Sequence, residues 1–317
     1  LAHEAVGQKE WTARYVSIAA LDQINPSIAR PTESAFTVTV WEDERHASAQ
    51  GADIYIQRVD NSTGLNVWVR WDNPLDLVTE RFDGMPVCRA QGAQRNPRAA
   101  YDSAGGVIVT WEDYRNDPSG MTAEIWAQRI LLSTGEPDPN WPLDGIAVCQ
   151  TGQHCERPRI VGTASGAFIT WIDYRNDPGG PPRNRDVYVQ FIESATATWP
   201  APPTLWQPNG IPVHQNMDPD QINPELDVDC IRIVDYLGNS REGVVVTYQD
   251  DRYNGAFGGQ AVWTVFANRI DANGQQSYNT GPLPWTADVP VTASYENQEY
   301  PRVVTTSKRF TVPDPSA

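Results

Sequence analysis

Three groups of residues in this 317-residue chain carry side chains that could do chemistry. Glu225, Asp227 and Asp229 stand at alternate positions of the segment ELDVD, so an extended chain puts their carboxyls on one face. Two carboxyls about 5–9 Å apart, one protonated and one ionised, are the requirement of glycoside hydrolysis. Arg98, Arg159 and Arg302 each follow a proline in a similar context. If those segments converge, the guanidiniums form an axial anion site able to hold a carboxylate or sulfate; otherwise each pairs with a nearby acid. Cys149 and Cys155 flank the loop CQTGQHC. A local disulfide in an oxidising compartment and a pair of free thiols are both open, whereas a metal site is disfavoured because the spacing is not CxxC and only His154 is close. His3, His46, His154 and His214 sit beside no Gly-x-Ser-x-Gly elbow, and neither a P-loop nor a dinucleotide fingerprint occurs.

The elements that must position these groups are repeated. WEDYRNDP at 111–118 returns as WIDYRNDP at 171–178, and the shared core, aromatic-x-Asp-x-Arg, occurs four times. The copies are Trp41, Asp43 and Arg45; Trp111, Asp113 and Arg115; Trp171, Asp173 and Arg175; and Tyr248, Asp250 and Arg252. Upstream of each stands a proline, at 26, 97, 158 and 224, and Pro301 begins a fifth copy. A β-branched run leads into each aromatic, a segment such as DIYIQR (53–58) or EIWAQR (124–129) follows, and a Gly-x-x-Val segment such as GMPVC (84–88) comes next. Each unit therefore predicts four short strands, the first beginning after the proline, with hairpin turns at 101–106 and 164–166. A four-stranded antiparallel unit repeated about an axis is a propeller blade. The expected architecture is a single all-β domain over 1–317, a five-bladed β-propeller. Its blades cover about 26–95, 96–156, 157–222 and 223–299, and a closing blade is shared between 300–317 and 1–25.

Composition narrows the function. The 24 basic against 40 acidic residues leave a net charge of −16, which repels nucleic acid and gives no attraction to anionic lipid. No apolar run reaches the roughly 18 residues of a membrane span. The chain starts Leu1-Ala2-His3, as a chain would after removal of a leader. The Asn- and Asp-rich loops RNDPSG, RNDPGG and DRYNG make calcium the one metal worth considering, although no EF-hand order of ligands is present.

The unit Pro … Trp-x-Asp-x-Arg … Asp-Ile-Tyr-x-Gln-Arg … Gly-x-x-Val, which spans nearly the whole chain, resembles the repeats of secreted bacterial β-propeller proteins, distantly akin to sialidase-like propellers. The resemblance implies the fold and an extracellular or cell-surface location, and it implies little about activity. Four evenly placed copies of Asp and Arg predict fastening of blade corners, the guanidinium reaching a carboxylate or carbonyl of the next blade. The acids in the first strands come from one blade only. The expectation is therefore a non-enzymatic structural or interaction propeller, possessing no cofactor and assembling with copies of itself through the incomplete closing blade. The alternatives are a carbohydrate-binding propeller using Trp68, Trp71, Trp141, Trp199, Trp206 and Trp285, and a glycosidase-like enzyme with its acid centre at Glu225, Asp227 and Asp229.

Overall fold

A computed structural model describes residues 15–29, 35–68, 83–177, 179, 184–202, 204–214, 220–228, 233–234, 240–241, 243–251, 263–271, 273–274 and 289–290. Blade one is the sheet of β1 (Gln23–Ala29), β2 (Phe36–Asp43), β3 (Asp53–Asp60) and β4 (Met85–Pro86). Blade two follows with β5 (Gln94–Tyr101), β6 (Gly106–Asp113), β7 (Glu124–Leu131) and β8 (Ile146–Cys149), and blade three with β9 (Cys155–Gly162), β10 (Gly166–Asp173), β11 (Asp186–Glu193) and β12 (Ile211–Pro212). Blade four holds β13 (Gln221–Val228), β16 (Gly243–Asp250), β17 (Thr264–Asp271) and β18 (Val289–Pro290), with a small hairpin, β14 (Ile233–Val234) and β15 (Ser240–Arg241), between its first two strands. All pairings are antiparallel. The first strands β1, β5, β9 and β13 neighbour one another in turn, so they line the axis of the ring. The chain is an all-β propeller. The closing blade expected from 300–317 with 1–25 lies largely outside the described residues, as does Arg302.

One expectation about the strands is corrected. The first strand does not begin after the proline; it begins three residues before it and carries the proline inside. A proline has no N–H for the ladder, and an inner strand tolerates it here because the register shifts at that point. The residue before the proline adopts a positive φ: 51° at Asn25, 52° at Asn96 and 55° at Arg157. A bulge therefore sits at one level of the axis, and the proline marks it.

The core lies between blades, and period-2 alternation assigns each face. Val107, Val109 and Trp111 of β6 pack on Val38, Val40, Ile54 and Ile56 of blade one, while Ile108 packs on Ala167, Ile169 and Trp171 of blade three. Phe168 turns the other way, to Val244, Val246 and Tyr248 of blade four. Each repeat tryptophan also explains the glycine of its own fourth strand. Gly84, Gly145 and Gly210 have φ of 93°, 90° and 73°, and a Cβ there would meet the ring of Trp41, Trp111 or Trp171 at 2.5–3.0 Å. Gly145→Ala would also push a methyl to 2.5 Å from the Ala127 carbonyl oxygen. Left-handed strain and this contact together should cost about 1–3 kcal/mol, read as a lower midpoint in urea with an unchanged slope.

Neighbouring blades share a recurring backbone joint. The first amide of β5, β9 and β13 donates to the carbonyl just ahead of the third strand in the preceding blade: Gln94 N to Ala52 O at 2.6 Å, Cys155 N to Ala123 O at 2.9 Å, and Gln221 N to Arg185 O at 2.6 Å.

Candidate functional site

The repeated octapeptide is a corner in which nearly every residue is used within the fold. In blade two the buried Asp113 accepts from Trp111 Nε1 at 2.7 Å, from its own turn at Arg115 N at 2.9 Å, and from Arg115 Nε and Nη2 at 2.9 and 2.6 Å. Arg115 Nη2 then donates to Asp144 O at 3.0 Å, and the guanidinium lies 3.6 Å from the Trp126 ring centre. Arg45 and Arg175 repeat this arrangement with Asp43, Asp83 O and with Asp173, Asn209 O. The guanidinium thus grips the fourth strand of its own blade, not a carbonyl or carboxylate of the next, because Asp144 O precedes the glycine on which the tryptophan rests. Asn116 and Asn176 donate to the third-strand acids Glu124 and Asp186, each at 2.8 Å. Asp117 caps its own loop, accepting from Ser119 N at 2.8 Å and Thr122 N at 2.7 Å, so its oxygens face the turn.

The link between blades is carried by a residue that the repeat core left unassigned. Glu112 accepts from Asn96 Nδ2 of its own bulge at 2.8 Å and from Arg157 N, the bulge amide of blade three, at 2.8 Å. Glu42 does the same one joint earlier, with Asn25 Nδ2 at 2.9 Å and Asn96 N at 3.3 Å.

Around the second joint these links form an acid cluster at the end of the ring where the 4-to-1 and 2-to-3 loops emerge. Glu156 Oε1 accepts from the Tyr174 hydroxyl at 2.7 Å, and Glu156 Oε2 lies 3.6 Å from His154 Nε2. His154 Nδ1 accepts from Ala123 N at 3.0 Å, which leaves the ring proton on Nε2, facing Glu156. The Tyr114 hydroxyl reaches Glu112 Oε2 at 3.4 Å. The two carboxyls are driven apart. Burial raises Glu112 above the usual carboxylate range, and the charge of Glu156 adds to the effect, against the amide of Arg157 and the side chain of Asn96. The facing His154 ring holds Glu156 below that range; burial opposes it, and the Tyr174 hydroxyl assists.

Next to this cluster, four side chains occupy one level of the axis. Ser27, Arg98, Arg159 and Glu225 pair with Val40, Thr110, Thr170 and Thr247, the residues just before the four repeat aromatics. Arg159 Nε bonds Glu225 Oε1 at 3.1 Å, joining blades three and four. Glu225 is therefore engaged with a guanidinium. Asp227 continues β13 opposite Val245, and Asp229 lies outside the described residues.

The structure joins Cys149 to Cys155 in a disulfide, with both sulfurs facing Asp173 Oδ2. Cys155 stands where the other inner strands have Gln94 and Gln221, and Gln94 ties the same loop through Ala90 O and Gly92 O. Cys88 is a buried free thiol whose pKa burial pushes up to about 12. Of the loop tryptophans named for the sugar-stacking alternative, Trp68, Trp141 and Trp206 are buried, and the indole N–H groups of the first two donate to Leu132 O and Ser194 O of the next blade. Trp199 is half-buried against the core between blades three and four, and Trp71 and Trp285 lie outside the described residues.

No protein-family model and no curated protein matches the chain. Among solved structures it is similar to the endo-arabinase from Bacteroides thetaiotaomicron, with TM-score 0.42 and 11% identity over 89% of this chain and 85% of that one. It is also similar to the α-L-arabinanase of Penicillium chrysogenum solved with arabinobiose, with TM-score 0.43 and 10% identity over 78% and 62% of the two chains. The GH93 α-L-arabinofuranosidase of Fusarium graminearum matches with TM-score 0.42 and 9% identity over 84% and 65%. Similarity at this level concerns the fold. The expectation of a non-enzymatic structural subunit is nevertheless corrected, since the propellers that match are glycoside hydrolases. A first strand taken to begin after its proline leaves out Glu156, which stands in β9 ahead of Pro158, and Glu112 comes from the end of a second strand. Both groups are visible in the sequence, as the Glu preceding the repeat Asp in WED and as the run His154-Cys155-Glu156.

Proposed function

We propose that the protein acts on glycans as a glycoside-hydrolase-type enzyme, with its chemistry at the mouth of the ring between blades two and three. The observation that carries the reading is the opposite displacement of two neighbouring carboxyls, Glu112 upward by burial and Glu156 downward through His154. Two carboxyls of unequal proton affinity are what glycosidic cleavage uses: the one that keeps its proton gives it to the departing oxygen, and the carboxylate takes one from water or attacks the sugar. Glu156 meets solvent and is aimed by Tyr174 and His154, so it is the carboxylate in this pair. Glu112, 4% exposed, is the partner whose proton affinity burial raises. A location outside the cell is supported by the Cys149–Cys155 disulfide, which persists in an oxidising compartment. Among the described residues no helix is long and apolar enough to cross a membrane.

Arabinan, arabino-oligosaccharides and β-1,2-mannosides are the first probes to assay for released reducing ends. Glu156→Gln should lower kcat/KM by about 10²-fold or more with the fold intact by circular dichroism. The pH profile of the wild-type enzyme should rise with ionisation of Glu156, below the usual carboxylate range, and fall with loss of the Glu112 proton, above it. No hydrolysis across a broad glycan panel, or activity undiminished in Glu156→Gln, would overturn the reading.

A further inference from the structure

The axial level next to the cluster is unevenly charged. Two guanidiniums, Arg98 and Arg159, come from adjacent blades, and one carboxylate, Glu225, answers them. Glu225 is bound to Arg159. Arg98 has a single hydrogen bond among the described residues, from Nη1 to its own neighbour's carbonyl, Pro97 O, at 2.7 Å. It makes no ion pair among those residues. Arg159 spends Nη1 on Pro158 O at 3.1 Å in the same way, which turns both forks to a common side of the bulge. A half-buried guanidinium with most of its N–H groups uncommitted is costly, more so with a second cation beside it. Burial and the Arg159 charge both lower the Arg98 pKa, against the pull of Glu112 and Glu225. Blade one contributes the hydroxyl of Ser27 at the same level, a small neutral group that leaves room on that side.

We propose that Arg98 and Arg159 form an anion-binding subsite on the axis, which takes the oxyanion group of an acidic sugar, a carboxylate or a sulfate. The assignment rests on the glycan reading above and narrows it to acidic glycans. A planar oxyanion matches the guanidinium fork and would satisfy N–H groups that the protein leaves open. Glu225 is then an internal competitor: it occupies Arg159 in the free protein and gives way when the ligand arrives.

Calorimetric titration of the intact protein with sodium glucuronate, glucose 6-sulfate and glucose tests this. Glucuronate or the sulfate ester should bind at least about tenfold more tightly than glucose, and which of the two does so distinguishes the carboxylate from the sulfate. Arg98→Ala should weaken that binding about tenfold or more, the scale of a lost charge-assisted pair. Glu225→Gln should strengthen it by freeing Arg159, a gain that a merely structural residue would not give. Equal affinity for all three sugars overturns the proposal, as does Glu225→Gln binding no more tightly than wild type. Glu156→Gln separates the two readings. Anion binding that survives in it supports the subsite even if no glycan is ever cleaved, and cleavage of neutral glycans without anion preference supports the catalytic pair and removes the subsite.

Discussion

Asp113→Ala should destabilise the protein by about 3–5 kcal/mol, the range for removing one partner of a buried ion pair. Asp113 is fully buried and accepts from the Trp111 indole, the Arg115 amide and two nitrogens of the Arg115 guanidinium. Without it, the indole N–H loses its acceptor and the guanidinium its counter-charge, keeping Asp144 O, the Trp126 ring and the buried Cys88 thiol that Arg115 Nη2 already touches at 3.2 Å. Equilibrium denaturation in urea measures the loss. Asp113→Ala with Arg115→Ala should cost less than the sum of the two single changes, because the second removes the orphan that the first creates. A single-variant loss below about 1 kcal/mol would mean that the corner does not fasten the blade.

Stability should fall as pH rises from about 4 to about 7, and the responsible groups are Asp53 and Asp186. Each opens a third strand directly opposite the repeat Asp of its blade, Asp43 or Asp173. Burial raises both pKa values from 3.8 to about 7; the facing Asp43 adds to this at Asp53, and at Asp186 the charge of Asp173 adds while the hydrogen bond from Asn176 opposes. The folded state therefore holds two protons that the unfolded chain releases near pH 4, so each pH unit in that window favours unfolding. Above about 7 both states are ionised and this dependence ends. A shift of about three units corresponds to a few kcal/mol for each group. Asp102 and Glu156 are displaced downward and act in the opposite sense, adding stability that disappears as pH falls through the acid range. The decisive measurement is a difference: Asp53→Asn with Asp186→Asn should flatten the decline between pH 4 and 7 in urea midpoints. An unchanged slope would show that the two acids ionise at ordinary values.

Much of the fold was legible because a propeller writes each requirement once per blade. The aromatic marks the end of the second strand: β2, β6, β10 and β16 each end two residues past it, and in the first three blades its ring rests on the fourth-strand glycine. The proline reads as a boundary although it marks a bulge, because a missing N–H suggests a strand end whenever the compensating register shift is not visible locally. The site was less legible. Repetition identifies shared fastenings, and it hides a residue such as Glu156 that is present in one blade only, where the others have Ile24, Arg95 and Ile222. Glu112 was hidden differently, since it repeats Glu42 as a joint and acquires its second character only from His154 and Glu156 beside it. Arg159 and Glu225 show the converse, with identical strand positions bearing opposite charges that attract across the axis.

The joints also give the ring a direction and a weak seam. Glu42 and Glu112 each hand a carboxylate forward to the bulge of the following blade, but blade three has Ile172 at that position. The third joint is closed instead by Arg185 gripping Asp220 through Nε at 2.9 Å and Nη2 at 2.5 Å, with the arginine side chain 24% exposed. A pair reached by solvent is screened by salt, whereas a covered carboxylate on backbone amides is not. Among the described joints, rising ionic strength should thus loosen one hinge selectively. The barrel would unclasp between its third and fourth staves, and amide protons along β13 would exchange ahead of those in β5 and β9.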